Sequence, residues 1–404
     1  MTRTNDESYR FFDAERHFSE PDDCWTRHLE SRFADRAVHV RREPDGRGNW
    51  FFGDRPLTRA REATVDMMIP GSYGLMARGA EERKEPGDGD AIDAFLPEFT
   101  NVETFLGVMD EQNVEAALVM GGETLNVPYD LRHDIDAAHA NVRAYNRWIE
   151  EDWGFARENR VFGVPLMLLF DPAQGVAELQ RVLDAGARAV LLNIGPVLGK
   201  SPADRAFDHF WSLVNEAAVP VVFHIDYFGY HDFFSSAWGE VAEPTSVAEI
   251  NAFQWLTCAG MRPMMDMVAS LVLHNLFGRY PSVNIMSLSN GSAWIRDLQR
   301  LDPFCDAGFP WGQEPSTWWR GGRLSALPSE IIAEHLYVAP FVWDSMEEVC
   351  QYVNPARIVM ASDYPHPDGF ADARDYSVLV KGLEPGDRQG IMRDNLRQLI
   401  VRDR

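Results

Sequence analysis

The chain has 404 residues and is 45% hydrophobic and 12% aromatic, enough to fill a large core or one α/β barrel with insertions. Its formal net charge is -24, from 38 Lys and Arg against 62 Asp and Glu, and such a surface repels phosphate backbones and anionic lipid. Nucleic acid and membrane are therefore excluded as expected partners.

Other compositional signals narrow the chemistry. Only Lys84, Lys200 and Lys381 are lysines, so Schiff-base and carbamate mechanisms have few candidates. Cys24, Cys258, Cys305 and Cys350 are far apart and form no CxxC pair, which reads as reduced packing thiols. The opening MTRTNDESYRFF lacks an apolar segment behind a basic start, and no stretch reaches the ~18 uncharged apolar residues of a membrane span. The expectation is a soluble, cytoplasmic protein.

In chain order, YRFFDAERH is the first predicted strand. Side chains alternate along a strand, so Glu15 and His17 face one side while Arg16 faces the other. AVHVRREPDGRGNWFFGDRPL then holds two β-like runs joined by PDGRG, a hairpin signal. Residues 70–101, rich in Gly, Pro and acid, read as a long loop that either covers an active face or is solvated surface. Together these make an insertion over about 34–101.

From residue 114 short apolar runs alternate with segments of helical period. EAALVMG, VFGVPLMLL, ARAVLLNIG, VPVVFHID, VNIMSLS, HLYVAPF and ARIVMASD read as strands and bring the total to eight. Between them lie stretches such as DPAQGVAELQRVLDAG, with Val176, Leu179 and Leu183 on one face, Val182 flanking it and Gly186 as a C-terminal cap. Eight alternating strands and helices predict a parallel sheet closed as a single (β/α)8 barrel over 1–404, with the hairpin insertion and long loop after strand one.

In such a barrel reactive groups sit at the C-terminal ends of the strands. Those ends carry Glu15 and His17, His224, and Asp363. Two imidazoles and two carboxylates suit zinc, manganese or iron. Each residue alone has a plainer reading. A histidine at a strand end is more often a hydrogen-bonded structural group, and an aspartate in ASDYPH is most often a turn or helix cap. The convergence of three strand ends is what favours a metal. His366 sits close to Asp363 as a partner or proton donor, against the reading of a surface histidine packed on Pro365. Asp226, Tyr227, His231, Trp294 and Arg296 are secondary candidates, and His274 reads as packing.

These motifs also resemble a family. FFDAERHFSEPDDCW, HNLFGRYPSVNIM, ARIVMASDYPHPDG and RDNLRQLI are similar to segments of the metal-dependent amidohydrolase superfamily. The resemblance is to the branch of aminocarboxymuconate semialdehyde decarboxylase and the aromatic-acid decarboxylases. It implies that Glu15 and His17 are strand-one ligands, His224 the strand-five ligand and Asp363 the strand-eight aspartate that binds metal or acts on its water or substrate. At strand six, where relatives commonly carry His or Glu, MSLSNGSAW places Ser289; strand four ends at Asn193 with no lysine. One divalent ion is the implied cofactor, with a second left open.

The resemblance implies a decarboxylase or hydrolase acting on a small carboxylic or aromatic acid, with Asp363 and His366 as its catalytic groups. An alternative is a subunit of a metal-dependent oxygenase resembling 2-aminoisobutyrate hydroxylase, with Ser289 marking a simpler partner site. The expected partners are accordingly a small molecule and either further copies of the chain or a related amidohydrolase-type subunit. Trp238 and Trp255, within 225–260, are compatible with an aromatic ligand and equally with a subunit contact.

Overall fold

The computed structural model describes residues 9–402 apart from 43, 45–47, 58–66, 69, 72–91, 94–96, 123, 126, 226–228, 241–250, 259 and 306–320. Its strands are β1 (Phe11–His17), β2 (Val38–Arg42), β3 (Gly48–Phe52), β4 (Arg55–Pro56), β5 (Met67–Met68), β6 (Ile92–Asp93), β7 (Val114–Met120), β8 (Val161–Gly163), β9 (Leu166–Met167), β10 (Val190–Leu192), β11 (Val221–His224), β12 (Ile285–Leu288) and β13 (Leu336–Val338). The order β1-β7-β8 makes one parallel sheet, and β13-β12-β11-β10-β9 makes a second.

The two sheets are related through one split strand and one irregular segment. Pro165 interrupts the predicted strand VFGVPLMLL, because proline donates no ladder bond. Its first half pairs with β7 and its second with β10. The predicted last strand, ARIVMASD, is not a ladder strand. Its Ile358 makes a single parallel bridge to Val338, and Tyr364, the residue after that run, makes another to Arg16. Among the described residues the ladders form two parallel sheets, and the expected closure into one sheet is not drawn by them.

Every residue of β1 is buried, as are all positions of β8 to β13. β8, β9, β10 and β13 are accordingly free of charged residues rather than alternating, whereas β1 buries Asp13, Glu15, Arg16 and His17 and β11 ends in His224. Helices cover them. The helix Pro172–Asp184 starts at Asp171, whose carboxylate accepts from Ala173 N and Gln174 N, and it ends before Gly186 at φ 99. Its buried face is Gly175, Glu178, Leu179 and Val182, so the apolar stripe is centred on Leu179 and Val182, with Val176 and Leu183 only partly covered.

Within the expected insertion β2 and β3 pair antiparallel from Val38↔Phe52 to Arg42↔Gly48, with β4 beside them, while residues 45–47 of PDGRG lie outside the described residues. Most of 70–101 lies outside the described residues, with β5 and β6 pairing across part of it. The run Ala252–Leu273 passes a membrane-span test on length and hydropathy. It nevertheless carries Arg262 and Asp266, and it buries Met264, Met267, Val268 and Leu271 in the core. None of the four cysteines is in a disulfide.

Candidate metal centre

β1 delivers Glu15 and His17 from the same side, β11 ends at His224, and Asp363 follows the bridged segment in the left-handed region at φ 51. The four donor atoms lie within 4.8 Å of one another, and all four residues are buried. His17 Nε2 is 2.9 Å from Asp363 Oδ1, and His224 Nε2 is 2.9 Å from Glu15 Oε1.

The tautomers test whether a cation fits. His17 Nδ1 faces Gly121 O at 3.2 Å and His224 Nδ1 faces Ile225 O at 2.9 Å. A carbonyl only accepts, so each Nδ1 carries the hydrogen and each neutral ring turns a lone pair out through Nε2. Neither Nε2 makes a directed hydrogen bond, although each is buried beside a carboxylate. Lone pairs and two carboxylate charges converging on one point are repulsive unless a positive charge sits among them. A divalent cation balances both carboxylates, so the residues fit one.

Without such an ion a proton takes its place. Burial disfavours a charged imidazole at His17, but Asp363 and Glu15 override it and push the group up to about 10. At Glu15 burial is likewise overridden, by His17 and His224, which hold the carboxyl at about 2. Asp363 moves up, through burial and then the Glu15 charge.

Around the four candidate ligands three contacts stand out. Ser289, at φ 53 beyond β12, donates through Oγ to Glu15 Oε1 at 2.8 Å. His366 Nδ1 lies 3.0 Å from Asp363 Oδ1, and its ring stacks on His17 at 3.9 Å between centroids. Gly122 permits that stack, since a Cβ there would stand 2.7 Å from His366 Nε2. Asp368, which the sequence reading passed over inside the quoted PHPDG, groups with Asp363 and His366. It also lines a cavity of about 20 Å³ with Glu15, Ser289, Phe341 and Asp363. Its only sequence signal is its place five residues past Asp363 in the same turn.

The secondary candidates separate. Trp294 is a packing residue, buried with Nε1 donating to Gly291 O at 3.0 Å, and Arg296 lies over the Tyr352 ring. His274 ends the helix Met261–Leu273. His231 is buried outside the four-ligand group, and Asp226 and Tyr227 fall outside the described residues. Asn193 donates to Leu125 O at 2.8 Å. Trp255 stands near Phe341 of the cavity wall, whereas Trp238 is 77% exposed.

A family model described as amidohydrolase matches residues 111–399. The chain belongs to the amidohydrolase family. An amidohydrolase from Mycobacterium avium subsp. paratuberculosis K-10 is 30% identical, with a TM-score of 0.83 over 98% of this chain and 100% of that one. The amidohydrolase fold extends to 2,6-dihydroxybenzoate decarboxylase from Rhizobium, at 17% identity and TM-score 0.59 over 97% of this chain and 98% of that one. It also extends to 5-carboxyvanillate decarboxylase from Novosphingobium aromaticivorans, crystallised with manganese and a nitrobenzoic acid, at 16% identity and TM-score 0.63 over 99% of both chains. No curated protein matches the chain. The amidohydrolase match includes His224, Ser289, Asp363 and His366, while Glu15 and His17 precede it.

Proposed function

We propose that this amidohydrolase is a metal-dependent decarboxylase of a small aromatic or unsaturated acid, with hydrolysis as the second reading, and that its strands form one (β/α)8 barrel. The observation that carries the metal reading is the convergence of His17 Nε2, His224 Nε2, Glu15 Oε1 and Asp363 Oδ1 within 4.8 Å. The barrel reading is supported by the split strand shared between the two parallel sheets and by the bridges at Tyr364 and Ile358.

When bound, a divalent ion supplies a Lewis acid that anchors and polarises substrate oxygens or bound water. Glu15, His17, His224 and Asp363 would hold it, with Ser289 fixing the Glu15 carboxylate and His366 fixing Asp363. Decarboxylation breaks the bond to CO2 and leaves its electron pair on carbon, which must then take a proton. The Asp363–His366 pair, joined at 3.0 Å, would supply one, and in the hydrolytic reading the same pair would accept one from water. Phe341 and Trp255 provide an apolar wall beside the carboxylates. The oxygenase-subunit reading draws no support from these relatives.

Purified protein should contain close to one equivalent of Zn, Mn or Fe by elemental analysis. With a panel of hydroxybenzoic acids it should release CO2, and Asp363→Asn should abolish release while the circular dichroism spectrum stays unchanged. Cleavage of an amide or ester panel without CO2 release would favour hydrolysis, and protein that takes up no metal would sink both.

A further inference from the structure

Between β1 and the 358–364 segment the backbone pairing skips. Ala14 N donates to Met360 O at 2.8 Å, and the next bonds are Asp363 N to Glu15 O and His17 N to Tyr364 O, each at 2.9 Å. These bonds use the consecutive residues Ala14 and Glu15 of β1, where a regular parallel ladder uses alternate residues, so a bulge interrupts the pairing opposite Ala361 and Ser362, and β1 also shifts register against β7 between Asp13 and Arg16. A bulge of this kind re-aims the residue that follows it, here Asp363 at φ 51.

The carboxylate of Asp13 fills the gap. Asp13 Oδ1 accepts from Ser362 N at 2.8 Å and from Glu15 N at 3.3 Å, while Oδ2 accepts from Ser362 Oγ at 2.5 Å. It touches none of the metal-cluster atoms, yet it binds the residue before Asp363 and the backbone of Glu15. Its charge is matched by Arg16, whose Nη1 is 3.6 Å from Asp13 Oδ2, and both side chains are fully buried. Arg16 is itself fixed, with Nη2 donating to Gln112 Oε1 at 2.8 Å and the guanidinium lying over the rings of Phe105 and Tyr364.

We infer that Asp13 is a positioning residue for the metal centre, its carboxylate standing in for a main-chain acceptor and setting the spacing between Glu15 and Asp363. This rests on the metal reading above. A carboxylate grips a bulged N–H and its own hydroxyl together, which a backbone carbonyl reached from the pleat cannot do. The ion site therefore depends on a group buried beneath it rather than on its four ligands alone.

The test uses full-length protein stripped with chelator and titrated with Mn2+ alone, comparing wild type, Ser362→Ala and Asp13→Asn. Melting temperatures are read with and without the metal. Ser362→Ala removes one hydroxyl and should weaken Mn2+ binding by about 10- to 100-fold. It should shrink the metal-induced rise in melting temperature while moving the metal-free value little. Asp13→Asn should do at least as much; if it does not fold because Arg16 is left unpaired, Ser362→Ala decides. Wild-type Mn2+ affinity in Ser362→Ala, with or without a lower metal-free melting temperature, overturns the inference. A wild-type chain that binds no Mn2+ overturns the metal reading instead.

Discussion

His224 ends β11 with Nδ1 committed to Ile225 O and Nε2 facing Glu15, which turns its ring toward the proposed ion. His224→Ala should lose the metal measured in the wild type, with helix content unchanged by circular dichroism. Ser289 is subtler. It holds Glu15 through one hydrogen bond at 2.8 Å. Ser289→Ala should therefore retain metal but with affinity lowered by about tenfold, read by competition with a chelating dye. The proton on the cluster gives a further test. Because His17 is pushed up to about 10 in the metal-free protein, an ion arriving at pH 8 must displace a proton. Metal uptake should acidify a weakly buffered solution, and affinity should rise as pH is raised from 6 toward 10.

At the scale of elements, the helix Ile135–Asp152 is tied to the start of the next helix through His139, whose Nε2 accepts from Asp171 N at 2.9 Å. Burial holds His139 down at about 4, with Asp171 only partly opposing it. The unfolded chain binds a proton near pH 6.5 and the folded chain does not, so folding stability is lost as pH falls from 6.5 to 4. The loss contributed by His139 reaches about 3 kcal/mol. Urea unfolding at pH 6.5 and 4.5 should show it, and His139→Gln should flatten the difference. The irregular segment 358–364 is the other element-scale feature: in place of a ladder it has single bridges, and its bulge is what frees Asp363 to turn inward.

For the whole molecule, the metal is expected to act as a staple between β1, β11 and the 358–364 segment, which belong to distant parts of the chain. Chelation should lower the melting temperature and restored Mn2+ should recover it, with about 4 kcal/mol at stake when free metal exceeds Kd a thousandfold. Much of this was legible beforehand. The apolar runs marked most of the buried strands because a strand covered on both faces is largely apolar, and the one-residue spacing of Glu15 and His17 marked a shared side because strand geometry has a period of two. PDGRG marked the hairpin through its turn chemistry. The break at Pro165 was written in the sequence too, though its effect of dividing one strand between two sheets depends on which neighbours each half meets. Asp368 carried no periodic signal, since a turn residue's direction is set by the fold around it. The apolar runs by themselves marked where most strands lie, and the two-residue period of a strand put Glu15 and His17 on one side, because both are local properties of the chain. Only the tertiary structure decided that Ser289 serves Glu15 and that Asp13 holds Ser362, because those contacts join positions hundreds of residues apart and depend on a pairing skip that no local pattern encodes.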